Sequence, residues 1–340
     1  MSDQEPTGLK ADKGIELFTF SSPNGYKASI LLEELKEAYG KEYTWQSINI
    51  SKNTQKQPWF TKLGPNGRIP VIVDHDQGGF AVQESLAILT YLTRHYDPEH
   101  KFSFSDPLDI SRAEQWMAWQ QGGLGPMQGQ ANHFNRFAKE RIPYGMQRYV
   151  GETERLAGVL DTALAKSDYL VGNKYSIADI ASFGWINMIC IAGVDLDQFP
   201  NLKKWWERIH ARPAVRRGLE VPNKSPYGNE AYLQKLKDEP EFAEQERKVM
   251  EQIKAAKEQY GYNHDPEKQG HFLFTVRKGV VNYYSFALFL PCSSHDDLTN
   301  HPYSQAPKDP YETTKEPRPR TTYKPSNLTN PFSASKKKLS

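Results

Sequence analysis

Hydrophobic positions at the start of the chain alternate between two spacings. Residues 15–20 form a continuous, β-rich apolar run, which indicates a buried strand, and residues 26–38 carry apolar side chains at helical spacing. After further segments of both kinds, residues 76–79 predict a hairpin turn and residues 85–96 predict a helix. The predicted order is β-α-β-α-β-β-α, in which the first two strands are parallel and joined by a right-handed crossover.

The pattern changes to helical spacing alone after residue 109. Residues 144–166 are a long periodic stretch, while the glycines and proline of residues 122–126 are predicted to interrupt or bend the helix before it. We therefore predict an α/β plus all-α fold, in which an N-terminal thioredoxin-like βαβαββα domain is followed by an all-helical domain.

The chain divides on this pattern into successive parts. We expect a flexible N-terminus at residues 1–13, a first domain at 14–97, a linker at 98–108, a helical domain at 109–222 and an extension at 223–340. The extension is charged and partly helical up to residue 260, and its last part, residues 300–340, has little periodicity. That last part lacks the apolar surface that a folded core requires, so it is predicted to be disordered.

Composition narrows the classes of partner. Of the 340 residues, 38% are hydrophobic, and the net charge of +2 gives no reason to expect nucleic acid or an anionic membrane as partner. The two cysteines, Cys190 and Cys292, are far apart, so we predict neither a disulfide framework nor a metal site. The polar first residues lack the apolar core of a signal peptide. The resulting expectation is a soluble cytoplasmic protein.

The tripeptide Arg68-Ile69-Pro70 precedes a predicted strand. Proline lacks a backbone N–H, so it belongs at the first residue of a strand. In a thioredoxin-like unit this proline is cis, and Ile69 presents its N–H and C=O to an extended peptide, which can pair there by β-addition. An ordinary trans proline is the alternative, because only about 5–6% of X–Pro bonds are cis. The order of the elements favours the cis form.

Glu84 and Ser85 stand directly before an apolar helix. A serine in this place is ordinarily a helix cap. The free N–H groups of a helix start also bind a carboxylate, and the neighbouring Glu84 can bind an ammonium group. The pair therefore suits an α-amino acid head group such as the γ-glutamyl end of glutathione.

Ser21, Ser22 and Asn24 lie at the predicted start of the first helix. A hydroxyl or amide group there, assisted by the helix dipole, can stabilise a thiolate. Helix capping by Ser22 or Asn24 is the alternative. Redox enzymes of the thioredoxin superfamily have a cysteine at the position of Ser22, so the chain brings no redox cysteine of its own to this site.

Residues 15–220 resemble a cytosolic glutathione transferase of the fungal Ure2p-like or bacterial nu-class branch. The resemblance rests on the stretches FSSPNGYKASILLEEL, LGPNGRIPVIVD, VQESLAILTYL and YSIADIA, and above all on GGLGPMQGQANHF followed by IPYGMQRYVGETERL. It implies a homodimer, a glutathione site in the first domain and an apolar substrate site between the domains. The implied reactions are conjugation of glutathione to an electrophilic small molecule and glutathione-dependent reduction of a disulfide or a peroxide.

The resemblance also implies which residues bind glutathione. The cysteinyl backbone would lie at Ile69 and Pro70, and the γ-glutamyl group at Glu84 and Ser85. The glycine end would lie near Arg68, with further contacts at Gln55 and Arg148. The sulfur would lie at Asn24 with Ser22 or Ser21. Which serine faces the sulfur stays open, because the branch often has threonine at position 22 while serine-type classes use position 21. Glutathione is the expected co-substrate, and no bound cofactor is expected. The alternative function is a glutathione-binding regulatory protein with little turnover.

Overall fold

The N-terminal part of the chain forms a four-stranded mixed sheet. The structure, a computed structural model, describes residues 5–261. Its strands are β1 (Ile15–Thr19), β2 (Tyr43–Ser47), β3 (Val71–Asp74) and β4 (Phe80–Gln83), in the order β2-β1-β3-β4. β1 and β2 are parallel, whereas β3 is antiparallel to both β1 and β4. The predicted parallel first pair and the hairpin between the last two strands are therefore confirmed.

Helices cover both faces of this sheet. They are α1 (Pro23–Tyr39), α2 (Pro58–Leu63) and α3 (Ser85–Tyr96). Because successive residues of a strand point to opposite faces, Leu17 packs in the large core with α1 and α3, while Phe18 packs with Phe60 of α2 in a smaller core. The two layers of helices hold the N-terminal ends of α1 and α3 at one edge of the domain.

The rest of the described chain is helical. Its helices are α4 (Pro107–Trp119), α5 (Gly125–Asn132), α6 (Pro143–Ala163), α7 (Ile177–Ile186), α8 (Pro200–His210), α9 (Pro213–Gly218), α10 (Asn229–Asp238) and α11 (Pro240–Tyr260). Residues 120–124 form a π-helical turn that joins α4 to α5. The glycine-rich segment thus continues the helix through a wider turn and does not break it. No helix of the part that the structure describes is long and apolar enough to cross a membrane.

The helix α1 contacts both halves of the described chain, which are the N-terminal half (β1 to α3, residues 15–96) and the helical half (α4 to α11, residues 107–260). The helices α7 and α9 of the helical half pack against the outer side of α1. Arg212 forms two hydrogen bonds to Glu34 of α1, at 2.6 and 2.8 Å. The hydroxyl of Ser29 donates to the carbonyl of Gly218 at 2.7 Å. The position of α1, and of everything at its N-terminus, is therefore fixed by the helical half as well as by the sheet.

Both ends of the described chain pack more closely than their polar sequences predict. In the N-terminal segment, which was expected to be flexible, Glu5 accepts a hydrogen bond from Thr54 at 2.7 Å and Gly8 accepts one from Gln46 at 2.9 Å. The charged part of the extension contains α11, and Ile253 and Ala256 of this helix are buried against the helical half. Polar contacts anchor the first segment, and a narrow apolar stripe anchors the second. Residues 262–340, including the predicted disordered part, lie outside the described residues.

Candidate functional site

The two serines at the start of α1 already have protein partners. Ser22 is the N-cap of α1, where its Oγ accepts a hydrogen bond from the N–H of Gly25 at 3.3 Å and donates to the carbonyl of Phe20 at 3.3 Å. The Oγ of Ser21 donates to the carbonyl of Asn223 at 2.6 Å. Ser22 therefore has the capping role that the sequence analysis gave as the alternative. Ser21 joins the start of α1 to the segment after α9 by this hydrogen bond.

Asn24 is the residue of this group that keeps a donor free. The indole N–H of Trp185 donates to its Oδ1 at 3.2 Å. An indole nitrogen can only donate, so this contact identifies the amide oxygen and leaves the Nδ2 group of Asn24 to donate elsewhere. Within residues 5–261, that Nδ2 has no hydrogen-bond partner. The start of α1 therefore presents an oriented amide donor.

Close packing of α7 against α1 fixes that orientation. A Cβ on Gly184 would lie only 2.5 Å from the carbonyl oxygen of Pro23, so only glycine permits this approach. The neighbouring Trp185 has an exposed fraction of 9%, and its backbone carbonyl accepts from Gln128 at 2.8 Å. The helical half thus holds the indole against Asn24.

The start of α3 is built differently. Glu84 precedes the helix with φ 69° and ψ 119°, a conformation that side-chain-bearing residues rarely adopt and that concentrates at functional sites. Its carboxylate is exposed and accepts from the amide of Asn66 at 3.2 Å. The helix has no side-chain cap, and among residues 5–261 the backbone N–H groups of Ser85, Leu86 and Ala87 meet no acceptor. This helix start offers several free donors beside an exposed carboxylate.

Ser85 is not the cap that the sequence offered as the ordinary explanation. It is the first helical residue, its exposed fraction is 3%, and its Oγ accepts from the ammonium group of Lys27 at 3.1 Å. The same ammonium group donates to Oε1 of Gln120 in the π-helical turn at 2.5 Å. Lys27 therefore connects the starts of α1 and α3 with the helical half.

Sequence reasoning did not single out Lys27. It is followed one helical turn later by Ile30 and Leu31, which are apolar, so it lies on a side of α1 that turns inward. A lysine at such a position is the signal, since lysine is almost never fully buried without a partner. Trp185 was also missed, because only the folded chain brings it to the start of α1.

The third part of the site is the loop before β3. The peptide bond between Ile69 and Pro70 is cis, as the order of elements predicted. In the described chain, the backbone N–H and C=O of Ile69 have no hydrogen-bond partner. Arg68 beside it is exposed to solvent. The loop therefore presents unpaired backbone groups next to an exposed guanidinium group.

Gln55 lies next to this loop. A Cβ on Gly67 would lie 2.8 Å from the backbone oxygen of Gln55, which places the two segments in direct contact. The Gln55 side chain is buried and donates weakly to the carbonyl of Ile50 at 3.4 Å, while its Oε1 has no partner in the described part of the chain. A buried polar atom without a partner is costly, so this oxygen marks a place where a ligand donor fits.

Eight of the predicted site residues thus lie on three neighbouring segments of the N-terminal half, and Gln55 lies beside the third of these segments. The contacts of Lys27 with Ser85 and of Asn66 with Glu84 join these segments. Arg148 is not joined to them. It is exposed on α6 of the helical half, where its guanidinium lies 3.7 Å from Glu152 of the same helix.

The cysteine of the described chain is unsuited to nucleophilic chemistry. Cys190 lies in the helical half, and its Sγ contacts the carbonyl of Tyr227 at 3.8 Å. Burial raises the pKa of the Cys190 thiol to about 12, so it is protonated near neutral pH. The thiolate is the reactive form, and Cys190 does not supply it.

Two family models match the chain. They are the glutathione S-transferase N-terminal domain, over residues 14–94, and the glutathione S-transferase C-terminal domain, over residues 146–213. Disulfide-bond oxidoreductase YfcG of Escherichia coli is 40% identical over 209 residues, which cover 60% of this chain and 94% of that protein.

Solved structures give the same picture. A glutathione transferase homologue from Lodderomyces elongisporus, with two glutathione molecules per subunit, is 42% identical with a TM-score of 0.59, and the match covers 62% of this chain and 99% of that one. Glutathione transferase URE2P8 from Phanerochaete chrysosporium, with oxidized glutathione, is 34% identical with a TM-score of 0.59, covering 63% of this chain and 96% of that one.

Proposed function

The chain belongs to the glutathione S-transferase family, and we propose that its N-terminal half binds glutathione and uses the thiol of that ligand as the nucleophile. The observation that carries this proposal is the start of α1. It presents the oriented amide donor of Asn24 in a domain where the sequence has no cysteine. A site that can stabilise a thiolate but has none of its own needs a ligand that brings one.

The free polar groups of the site match the parts of glutathione in order. The three free N–H groups at the start of α3 suit the α-carboxylate of the γ-glutamyl group, and the exposed carboxylate of Glu84 suits its ammonium group. The unpaired backbone of Ile69 suits the cysteinyl backbone, because an extended peptide pairs with a free edge. The exposed guanidinium group of Arg68 suits the glycine carboxylate, and the buried Oε1 of Gln55 suits a donor of the ligand near Arg68.

Asn24 would then face the sulfur. Lowering the pKa of a thiol by one unit requires about 1.4 kcal/mol of preferential stabilisation of the thiolate. A hydrogen bond to a charged group contributes about 1.5–3 kcal/mol, so one well-placed amide donor is sufficient. We assign this role to Asn24 rather than to Ser21 or Ser22, since both hydroxyl groups already donate to backbone carbonyls.

We propose reduction of a mixed disulfide as the principal reaction. The thiolate of bound glutathione attacks the glutathionyl sulfur of the substrate, the substrate S–S bond breaks, and the released substrate thiolate takes up the proton that glutathione lost. The products are oxidised glutathione and the free thiol. The support is the disulfide-bond oxidoreductase among the relatives and the two structures that hold a pair of glutathione molecules or its disulfide.

Conjugation is the second candidate, favoured by the family to which the chain belongs. Here the same thiolate attacks an apolar electrophile, a C–S bond forms, and the leaving group departs with the electron pair. A glutathione-binding regulator with little turnover would keep the site and lack both reactions.

An activity panel separates these functions. The full-length protein is assayed with glutathione and, in turn, a glutathione mixed disulfide, a chlorinated aromatic and an organic peroxide. We expect the highest kcat/KM with the mixed disulfide. Turnover of the aromatic alone would establish conjugation instead, and glutathione binding without turnover of any of the three would establish the regulator.

A cysteine-free variant tests the source of the sulfur. Cys190→Ala combined with Cys292→Ala is expected to keep most of the wild-type activity, because neither thiol lies in the N-terminal half. Circular dichroism and the unfolding temperature control for the loss of packing at Cys190. A folded variant without activity would refute glutathione's own thiol as the nucleophile.

We also propose that two copies of the chain pair and that they act in the cytoplasm. The support for pairing is a set of exposed apolar side chains on β4 and α4, namely Phe80, Leu108 and Ile110. Sedimentation equilibrium of the wild type against Phe80→Glu tests the pairing, with a dimer expected for the first and a monomer for the second. Imaging of a fluorescent fusion tests the location.

A further inference from the structure

Lys27 is a buried cation without a buried anion. Its exposed fraction is 0%, and its ammonium group donates to two neutral oxygens, Oγ of Ser85 and Oε1 of Gln120. Among residues 5–261, no carboxylate lies within ion-pair distance of it. A charge removed from water without a counter-charge is strongly unfavourable, so this arrangement needs a reason beyond stability of the fold.

The surroundings leave the Lys27 ammonium group electrostatically isolated. Burial lowers the pKa of Lys27 to about 7, and the field of the exposed Glu84 opposes that shift only in part. The other charged groups on α1 and on the elements packed against it do not pair with Lys27. Most of them form hydrogen bonds or ion pairs with other residues, and Arg94 and His95 are exposed in the last turn of α3. The groups are Glu16 on β1, Glu33, Glu34, Lys36 and Glu37 on α1, Arg94 and His95 on α3, Asp179 on α7, and Arg216 and Arg217 on α9.

Ser85 connects this cation to the helix start. Because its Oγ accepts from the Lys27 ammonium group, the hydroxyl proton is left to donate in another direction. In the part of the chain that the structure describes, Ser85 Oγ donates to no protein group. The hydroxyl therefore stands between a buried ammonium group and the free N–H groups of α3, which is where an anion fits.

We propose that Lys27 is a positioning residue for the γ-glutamyl carboxylate: it holds the Ser85 hydroxyl toward that group and takes up a proton as the carboxylate binds. This inference rests on the proposed function, because it places the γ-glutamyl group at the start of α3. The carboxylate supplies the counter-charge that the free protein lacks, and the interior strengthens the attraction relative to water. The chain of hydrogen bonds runs from Lys27 through Ser85 to the ligand.

Proton uptake by the wild-type protein is the first test. S-methylglutathione is the probe, because it keeps the γ-glutamyl carboxylate and has no thiol that could release a proton. Calorimetric titration of the full-length protein at pH 7.5 is compared in two buffers of different ionisation enthalpy. We expect a net uptake of about half a proton or more per ligand, since a group with a pKa near 7 is mostly deprotonated at that pH.

The variant Lys27→Met removes the cation and keeps a side chain of similar length. We expect its proton uptake to vanish and its affinity for S-methylglutathione to fall about tenfold, as for loss of support to a charged hydrogen bond. A residue with a merely structural role would lower the unfolding temperature of the free protein, whereas here that temperature stays the same or rises. Lys41→Met, at an ion pair with Asp76, is the control for loss of one positive charge.

The outcomes separate the inference from the function on which it rests. Failure of the wild type to bind glutathione or S-methylglutathione would overturn the proposed function. Binding without proton uptake, or uptake that persists in Lys27→Met, would overturn the role of Lys27 while the glutathione site stands. The comparison of buffers on the wild type can overturn the role of Lys27 even if Lys27→Met does not fold.

Discussion

The two helices that meet at the site begin in opposite ways. The start of α1 is largely capped by its own residues: Pro23 has no N–H, and the Ser22 hydroxyl caps the N–H of Gly25. The start of α3 has no side-chain cap, and its Ser85 hydroxyl turns inward to Lys27. One helix start is built from local capping rules, and the other departs from them.

The difference separates stability from binding within one small region. A capped helix start stabilises the fold by about 1 kcal/mol and leaves little for a ligand. An uncapped start leaves donors unpaired, and in α3 it is preceded by Glu84 in an unfavourable backbone conformation and backed by a buried cation. Loss of the Ser22 cap at the first start should therefore mainly change unfolding, and loss of the Ser85 hydroxyl at the second should mainly change affinity.

The largest effect is expected from the cation itself. The folded state lowers the pKa of Lys27 from its ordinary value of 10.5 to about 7, so between these values the unfolded chain binds more protons and stability rises with pH. The destabilisation is fully present below pH 7 and disappears above pH 10.5. Lys27→Met should lack this rise, which corresponds to about 3–4 kcal/mol between pH 7 and pH 10.

Chemical unfolding of both proteins across this pH range measures the difference. Lys41→Met serves as the control, because its ammonium group lies at the surface beside Asp76. A wild-type curve that runs parallel to that of Lys27→Met at every pH would show that Lys27 is not destabilised by burial. The start of α3 would then not differ from the start of α1 by a destabilised buried cation.

Asn24 carries the next largest effect, on rate rather than on stability. Asn24→Ala should lower kcat near neutral pH about a hundredfold, as expected for loss of a donor to developing or fixed negative charge. Part of the rate should return in alkali, where the thiolate forms without assistance. Asn24→Asp is expected to be at least as slow, because it still accepts from Trp185 and has no donor for the sulfur.

Asn187→Ala is a matched control for Asn24→Ala. Its Oδ1 accepts from the indole N–H of Trp206 at 3.0 Å, the same contact outside the site. It should leave the pH profile of the rate unchanged. An unchanged profile for Asn24→Ala as well would contradict the assignment of Asn24 to the sulfur.

Ser85→Ala should have a smaller effect, mainly on binding. Loss of one hydrogen bond to the carboxylate is expected to weaken glutathione binding about tenfold. Stability should fall by less than affinity, because Ser85 caps no helix N–H and the Lys27 ammonium group keeps its hydrogen bond to Gln120. Calorimetric titration with a parallel thermal melt makes the comparison, and an equal loss of affinity and stability would show that Ser85 has only a structural role.

Features set by local sequence were predictable, whereas those set by distant packing were not. The order of strands and helices along the first domain follows from short runs of residues and their turns, and that order in turn favoured the cis peptide bond before Pro70. The capping box of α7 likewise joins Ser176 and Asp179, which are three positions apart. Each element depends on neighbours within a few positions, so one sequence is enough to predict it.

The parts of the site that span the two halves could not be predicted from local patterns. The partner of Ser21 is the carbonyl of Asn223, and the partner of Asn24 is Trp185, both far along the chain. The partners of Lys27 are Ser85 and Gln120, and only the packing of α3 and the π-helical turn brings them to it. The choice between capping and catalysis for each residue depends on these contacts.

The smallest effect belongs to the capped start and decides whether the comparison holds. Ser22→Ala removes the cap of α1 and should lower the free energy of unfolding by about 1 kcal/mol. Its effect on the pH dependence of the rate should be slight, because the hydroxyl proton already points to the carbonyl of Phe20. Ser21→Ala is the control, since it loses one exposed hydrogen bond to Asn223 and no cap. If Ser22→Ala instead shifts the rate profile to higher pH at unchanged stability, Ser22 faces the sulfur, and the start of α1 is also arranged for the ligand.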